Sequence, residues 1–312
     1  MPELTRQHGL PVWTLASLDG HTSASIVPEL GGVVSSLCLP AAGGSRDCLF
    51  RHPFFWDPAS TETRGGIPFL FPICGRLQRE GRMGEWQHEG RPFRLPIHGF
   101  AMRRPWVVLD HRRPDELVLG QIDGEDTLAA YPFHFELLLR YRVMDGRFRC
   151  EQTYTNRGRE PMPFSAGFHP YFLTPPARTR EGLTVEVAAS RRRCYDATYT
   201  AFAGEAPPAA APISLEDPLF SDAVHQVAGA CRARVRWPDG FAVDVSGGGV
   251  EEPHFFPYLQ CYATADDPFV CVEPWTGVPN ALNTGDGLRW LAPGEVARAW
   301  FEVAEATPHQ PG

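Results

Sequence analysis

Short stretches in which apolar and polar residues alternate recur along this chain, and each predicts a strand with one face turned to a core. The clearest lies at 134–156. Phe135, Leu137, Leu139, Tyr141 and Val143 share one face, Asp145-Gly146 signals a type I′ turn, and Phe148, Cys150, Gln152 and Tyr154 return on that face. A second hairpin repeats the device: Cys231, Ala233, Val235 and Trp237 alternate with Arg232, Arg234 and Arg236, Asp239-Gly240 turns the chain, and Phe241, Val243 and Val245 return. Arg140, Arg142, Arg147, Arg149 and the arginines of the second hairpin are expected on solvated faces. Val12 to Leu18, Thr22 to Val27, Trp106 to Leu109, Glu116 to Ile122 and Leu183 to Ala188 read as further strands. Leu30 to Val34 leads into another, and residues 41–47 read as a small-residue loop.

Thirty glycines and 31 prolines are spread throughout, which leaves little room for long amphipathic helices. More than a dozen short strands, with no shift in composition and no repeat, predict one domain over residues 1–312. The expected fold class is all-β, a large antiparallel β-sandwich of two curved sheets. The Ala/Pro-rich loop at 204–212 is too short for an interdomain linker.

A net charge of −8 argues against nucleic acid as a partner, because phosphate binding needs a basic face. No apolar run approaches a membrane span, and residues 1–11 lack an apolar signal-peptide stretch, so a cytoplasmic protein is expected. The eight cysteines show no metal-finger spacing; Cys38, Cys150, Cys231, Cys261 and Cys271 fall in strand-like runs and read as reduced core residues.

Four segments set a polar residue in rigid aromatic or proline framing: Gly75-Arg76, His98-Gly99-Phe100, Phe168-His169-Pro170-Tyr171-Phe172 and Glu273-Pro274-Trp275. Glu273 follows the apolar run Pro268 to Val272, which places a carboxylate at the end of a buried strand, where it must be paired or hydrogen-bonded. Pro274 is expected to take the chain out of the sheet directly after it. Residues 65–76, with prolines at 68 and 72, read as a rigid floor ending in Gly-Arg. Gly99 lets the backbone come close to something beside His98.

Together, and in this order from about Val12 to about Phe301, these segments resemble the aldose 1-epimerase, or galactose mutarotase, family. The most specific parts are His-Pro-Tyr-Phe at 169–172 and Glu273 followed by Pro279-Asn280 and Asn283. The His98-Gly99-Phe100-Ala101 variant is similar to bacterial branches that include hexose-6-phosphate mutarotases. The resemblance implies a large antiparallel β-sandwich and a cofactor-free, metal-free acid/base reaction on a small-molecule sugar. In that reaction Glu273 would be the base, His169 the acid, and Arg76 and His98 would hydrogen-bond the sugar. Trp275, Phe71 or Phe100 would offer an apolar platform.

The sequence departs from the family pattern in two places. Leu77-Gln78-Arg79 stands where an asparagine is usual, and Asp222 is the best candidate for the sugar-binding aspartate. The alternatives are a hexose-6-phosphate mutarotase, a sugar-binding protein without turnover, and a zinc site of His98, His169 and Glu273. Arg76, Arg79, Arg103 and Arg104 flank the motifs and would suit a phosphate, whereas the acidity of the chain favours a neutral aldose. Oligomeric state is left open.

Overall fold

The computed structural model describes residues 1–60, 62, 65–175, 181–227 and 229–306. Its strands form two large sheets, and every ladder in them is antiparallel. The first has nine strands, running from Val107–Asp110 through the hairpin Phe135–Met144/Arg147–Asn156 and Val296–Glu305 to the second hairpin Cys231–Arg236/Ala242–Gly249 and its neighbours. The second sheet has eight strands, in the order Phe202–Ala206, Ala189–Tyr195, Ala223–Val227, Tyr258–Tyr262, Phe269–Trp275, Gly167–Phe168 and Phe69–Leu70. Tyr171–Leu173 also pairs with Phe269–Trp275. A five-stranded antiparallel sheet precedes both, over residues 3–47.

The alternation read from the sequence explains the packing. Phe135, Leu137, Leu139, Tyr141, Val143, Phe148, Cys150 and Tyr154 are all buried, and one continuous core joins them to Phe168, Leu259, Val270 and Val272 of the opposing sheet. Phe168 stacks on Phe301 across the two sheets with ring centroids 4.2 Å apart. The arginines between these positions face outward and meet carboxylates: Arg140 and Arg142 reach Glu116, and Arg234 makes a two-pronged pair with Asp244. All eight cysteines are free thiols.

Several local expectations are corrected. Residues 41–47 are not a loop, because Gly44–Asp47 pairs back onto Val33–Ala41. A ladder of backbone hydrogen bonds needs no bulky side chain, and Gly43 and Gly44, with φ of 87° and 147°, make the turn. The Ala/Pro-rich stretch starts as an edge strand, Phe202–Ala206. At Asp145-Gly146 only Gly146 has positive φ, so the turn is not type I′, which needs both residues there. Among the described residues no helix is long and apolar enough to cross a membrane.

Candidate active site

The site is built on one strand, Phe269–Trp275, and its two neighbours. Pro274 does not end this strand, contrary to the sequence expectation: Leu259 pairs with Pro274 and Tyr258 with Trp275 on one side. On the other side Tyr171 pairs with Cys271 and Gly167 with Trp275, so the shared register sets His169 opposite Glu273. Pro170 and Pro274 flank that rung, and neither has an N–H to donate, so the ladder is interrupted there without leaving donors unmet. Gln260 pairs with Glu273 from the third strand. Three adjacent strands thereby present His169, Glu273 and Gln260 on one face, away from the core that Phe168, Val272 and Leu259 fill.

His169 Nε2 lies 3.4 Å from Glu273 Oε2, with the side chains 6% and 1% exposed. The His169 ring stacks on Tyr171, with centroids 4.5 Å apart and planes 3° from parallel. Burial holds the Glu273 carboxyl well above the usual carboxylate range, and the Trp275 indole draws it only partly back. Burial also pushes the His169 imidazole down to about 3. Both shifts favour uncharged partners, a carboxylic acid beside a neutral imidazole.

His98 is set by its backbone. Its φ is +62° and that of Gly99 +73°. A Cβ on Gly99 would fall 2.3 Å from the Phe71 carbonyl oxygen, which explains the glycine. The Gly75 N–H donates to His98 Nδ1 at 3.1 Å, and the His98 N–H donates to the Gly75 carbonyl at 2.9 Å. With Nδ1 accepting, the neutral ring carries its proton on Nε2. Burial keeps His98 neutral well below its ordinary range, with His169, Arg103 and Arg76 adding to the effect. The His98 ring stands edge-on to His169 and Trp275, at 5.2 and 5.9 Å.

Arg76 follows Gly75 and is exposed at the cleft. Its carbonyl accepts the Asn280 N–H at 2.8 Å, while Asn280 Oδ1 accepts from the Gln78 N–H and from Asn283 Nδ2. The Pro279-Asn280-Asn283 motif is therefore a brace for the arginine segment. No carboxylate pairs with Arg76 among the described residues; its guanidinium lies 5.7 Å from the centre of the Tyr199 ring.

These groups line a cleft of about 400 Å³ together with Glu62, Ile97, Tyr171, Tyr195, Ser221, Gln260, Tyr262 and Trp275. Of the six candidates, Glu273, His169, Arg76, His98 and Trp275 come together there. Asp222 does not line the cleft; it accepts a 2.6 Å hydrogen bond from the Tyr199 hydroxyl and so acts one residue removed. Phe71 and Phe100 are core residues behind the site, not platforms on it. Gln260 and Tyr199 were missed. Gln260 sits between Tyr258 and Tyr262, an alternation visible in the sequence, whereas Tyr199 lies on a loop at φ +56° that no pattern marks. Gln260 Oε1 accepts the Tyr195 hydroxyl at 2.7 Å.

Known proteins show the same architecture. The Slr1438 protein from Synechocystis sp. PCC 6803 is 30% identical, with 98% of each chain covered and a TM-score of 0.80. A galactose mutarotase related enzyme from Lactobacillus acidophilus shares the fold at 22% identity, 98% coverage of each chain and a TM-score of 0.76. The chromosomal protein LacX of Lactococcus lactis is 25% identical over 267 residues, 75% of this chain and 81% of LacX. The family model described as aldose 1-epimerase matches residues 14–218. On that match and the 30% identical relative, the chain belongs to the aldose 1-epimerase family.

Proposed function

We propose that this chain is an aldose 1-epimerase that interconverts the α and β anomers of an unphosphorylated hexose. The observation that carries this reading is the buried Glu273–His169 pair, 3.4 Å apart at the wall of a sugar-sized cleft. Ring opening breaks the bond between C1 and the ring oxygen. It requires a proton to leave the C1 hydroxyl and another to reach the ring oxygen, and those two oxygens share C1. An acid and a base standing side by side match that demand.

In the ionised form of the pair, the Glu273 carboxylate takes the hydroxyl proton while the His169 imidazolium gives its proton to the ring oxygen. The pair is left as carboxylic acid and neutral imidazole, the form that burial favours. The open-chain aldehyde turns about its C1–C2 bond, and closure on its other face returns both protons. Sugar hydroxyls donating to the carboxylate support the ionised form during binding. His98 Nε2–H and Arg76 supply donors to the sugar oxygens, and Trp275 closes the apolar wall.

The neutral substrate is supported by the fate of the other arginines. Arg79 pairs with Glu80 and Glu85, and Arg104 with Asp126. Arg103 Nη1 donates to the Ile97 and Gly99 carbonyls. Among the described residues Arg76 is the arginine that lines the cleft, and Glu62 shares the lining. Proton-NMR exchange between anomers tests the reading across glucose, galactose and glucose 6-phosphate. Acceleration for the free sugars that vanishes in Glu273→Gln is expected. A strong preference for the phosphate ester that fades as salt rises would assign the phosphorylated substrate instead.

A further inference from the structure

Cys271 lies two residues before Glu273 on the same strand and therefore on the same face, fully buried beneath the pair. One ligand atom from each of His169, Cys271 and Glu273 falls within 4.8 Å of the others. In this group Glu273 Oε2 is buried with no hydrogen-bond partner among the described residues, and it faces His169 Nε2 at 3.4 Å. A thiol, an imidazole and a carboxyl with an unmet oxygen form a donor set that suits a borderline-soft dication.

We propose that His169, Cys271 and Glu273 form a zinc-binding site, and that occupancy shuts down the acid/base pair. Zinc bonds of about 2.0–2.3 Å put neighbouring donors of a tetrahedral site roughly 3.5 Å apart, so these donors must close by about an ångström. His169 and Glu273 already stand at 3.4 Å through Nε2 and Oε2. The fourth position faces the cleft, which those two residues line and from which the ion enters. Binding displaces the thiol proton of Cys271 and the carboxyl proton of Glu273, two positive charges for two, so the buried site gains no net charge. The bound ion occupies the lone pairs that a sugar proton would need, and the effect is inhibition. A different set, His98 with His169 and Glu273, was weighed from the sequence; the geometry puts Cys271 in the third place.

The test uses the full chain stripped with chelator, then titrated with Zn²⁺ or Co²⁺. His88→Ala serves as the background, because His88, Glu89 and Glu160 form an exposed cluster that could also take an ion. One equivalent is expected to bind, and Co²⁺ should give a thiolate charge-transfer band. Cys271→Ser should lose the band and bind at least about a thousandfold more weakly, beyond the roughly 10–100-fold that loss of an outer partner usually costs. The same variant in chelator should keep its anomer interconversion and should resist added zinc. Cobalt bound without the band, equal affinity in Cys271→Ser and the parent, or no binding at millimolar metal would each overturn the proposal. Binding and spectrum are read without any sugar, so they stand or fall separately from the epimerase reading.

Discussion

Gly75 and His98 hold each other by two hydrogen bonds, one from each backbone N–H, and the one received by His98 Nδ1 fixes the tautomer of that ring. The ring nitrogen left to face the cleft is a donor. Nitrogen-15 NMR of imidazole-labelled protein should show His98 neutral and protonated at Nε2 throughout the range from about pH 5 to 8, where an ordinary histidine titrates. His98→Ala should lower kcat/KM by about two to three orders of magnitude, the scale of losing a preorganised donor. A His98 resonance that titrates near its ordinary value would remove this role.

Glu273→Gln should trade activity for stability. Turnover should fall by roughly two to four orders of magnitude, since the amide takes no proton. The folded-state carboxyl is raised above 4.5, so the unfolded chain loses this proton first and stability declines as pH climbs from about 5 toward the folded value. Glutamine removes that decline. Thermal melts should show the variant equal to the parent near pH 4 and more stable at higher pH, with the gap widening by up to about 1.4 kcal/mol per unit. A variant less stable than the parent at alkaline pH would contradict the burial argument.

Arg76→Ala should raise KM by about tenfold to a hundredfold with kcat nearly kept, the cost of losing charged hydrogen bonds made equally in ground and transition states. Collapse of kcat at unchanged KM would place Arg76 on the transition state instead.

Tyr199 and Asp222 should behave as one unit. Tyr199→Phe and Asp222→Ala remove the same 2.6 Å hydrogen bond, so their small increases in KM should fail to add in the double variant. Tyr199→Ala, which also removes the ring beside Arg76, should cost more than either.

His225→Leu should stabilise the protein. This residue is fully buried, and both ring nitrogens lack partners among the described residues. Burial, with Arg192 nearby, lowers it to about 4. The unfolded chain takes up this proton first as pH drops below about 6.5, so the parent loses stability between there and the folded value. The gain in leucine should be about 1–3 kcal/mol near neutral pH and larger in acid, measured by urea melts.

The two long hairpins were legible because alternation sustained along strands of 6 to 10 residues fixes which face is buried, as at Phe135 to Val143. Glu273, His169, His98, Arg76 and Trp275, which the fold brings to one cleft, stand out in the sequence because each sits in a short rigid motif. What escaped depends on pairing across the chain. Pro274 reads locally as a strand end, yet the strand passes through it: Leu259 pairs with it on one side, and on the other the ladder is broken between Gly167 and Tyr171. Asn280 reads as part of a loop motif, and only the fold reveals that it clamps Arg76 and Gln78. Gly44 to Asp47 has no side-chain pattern to read. Asp222 does not line the cleft and touches its wall through the Tyr199 hydroxyl, a contact that no local pattern marks.

The shared rung of His169 and Glu273 has a consequence for how such a protein can change over generations. The separation of these two side chains is set by the spacing of adjacent strands, and neither can drift without breaking strand pairs beside it. Arg76, His98 and Tyr199 sit instead on turns at positive φ or directly beside them, outside the ladders. Insertions and replacements in those turns can reshape what the cleft accepts while the Glu273–His169 pair stays in place. Diversification of substrate should therefore be inexpensive on this scaffold, and loss of the chemistry should need a change in the sheet itself.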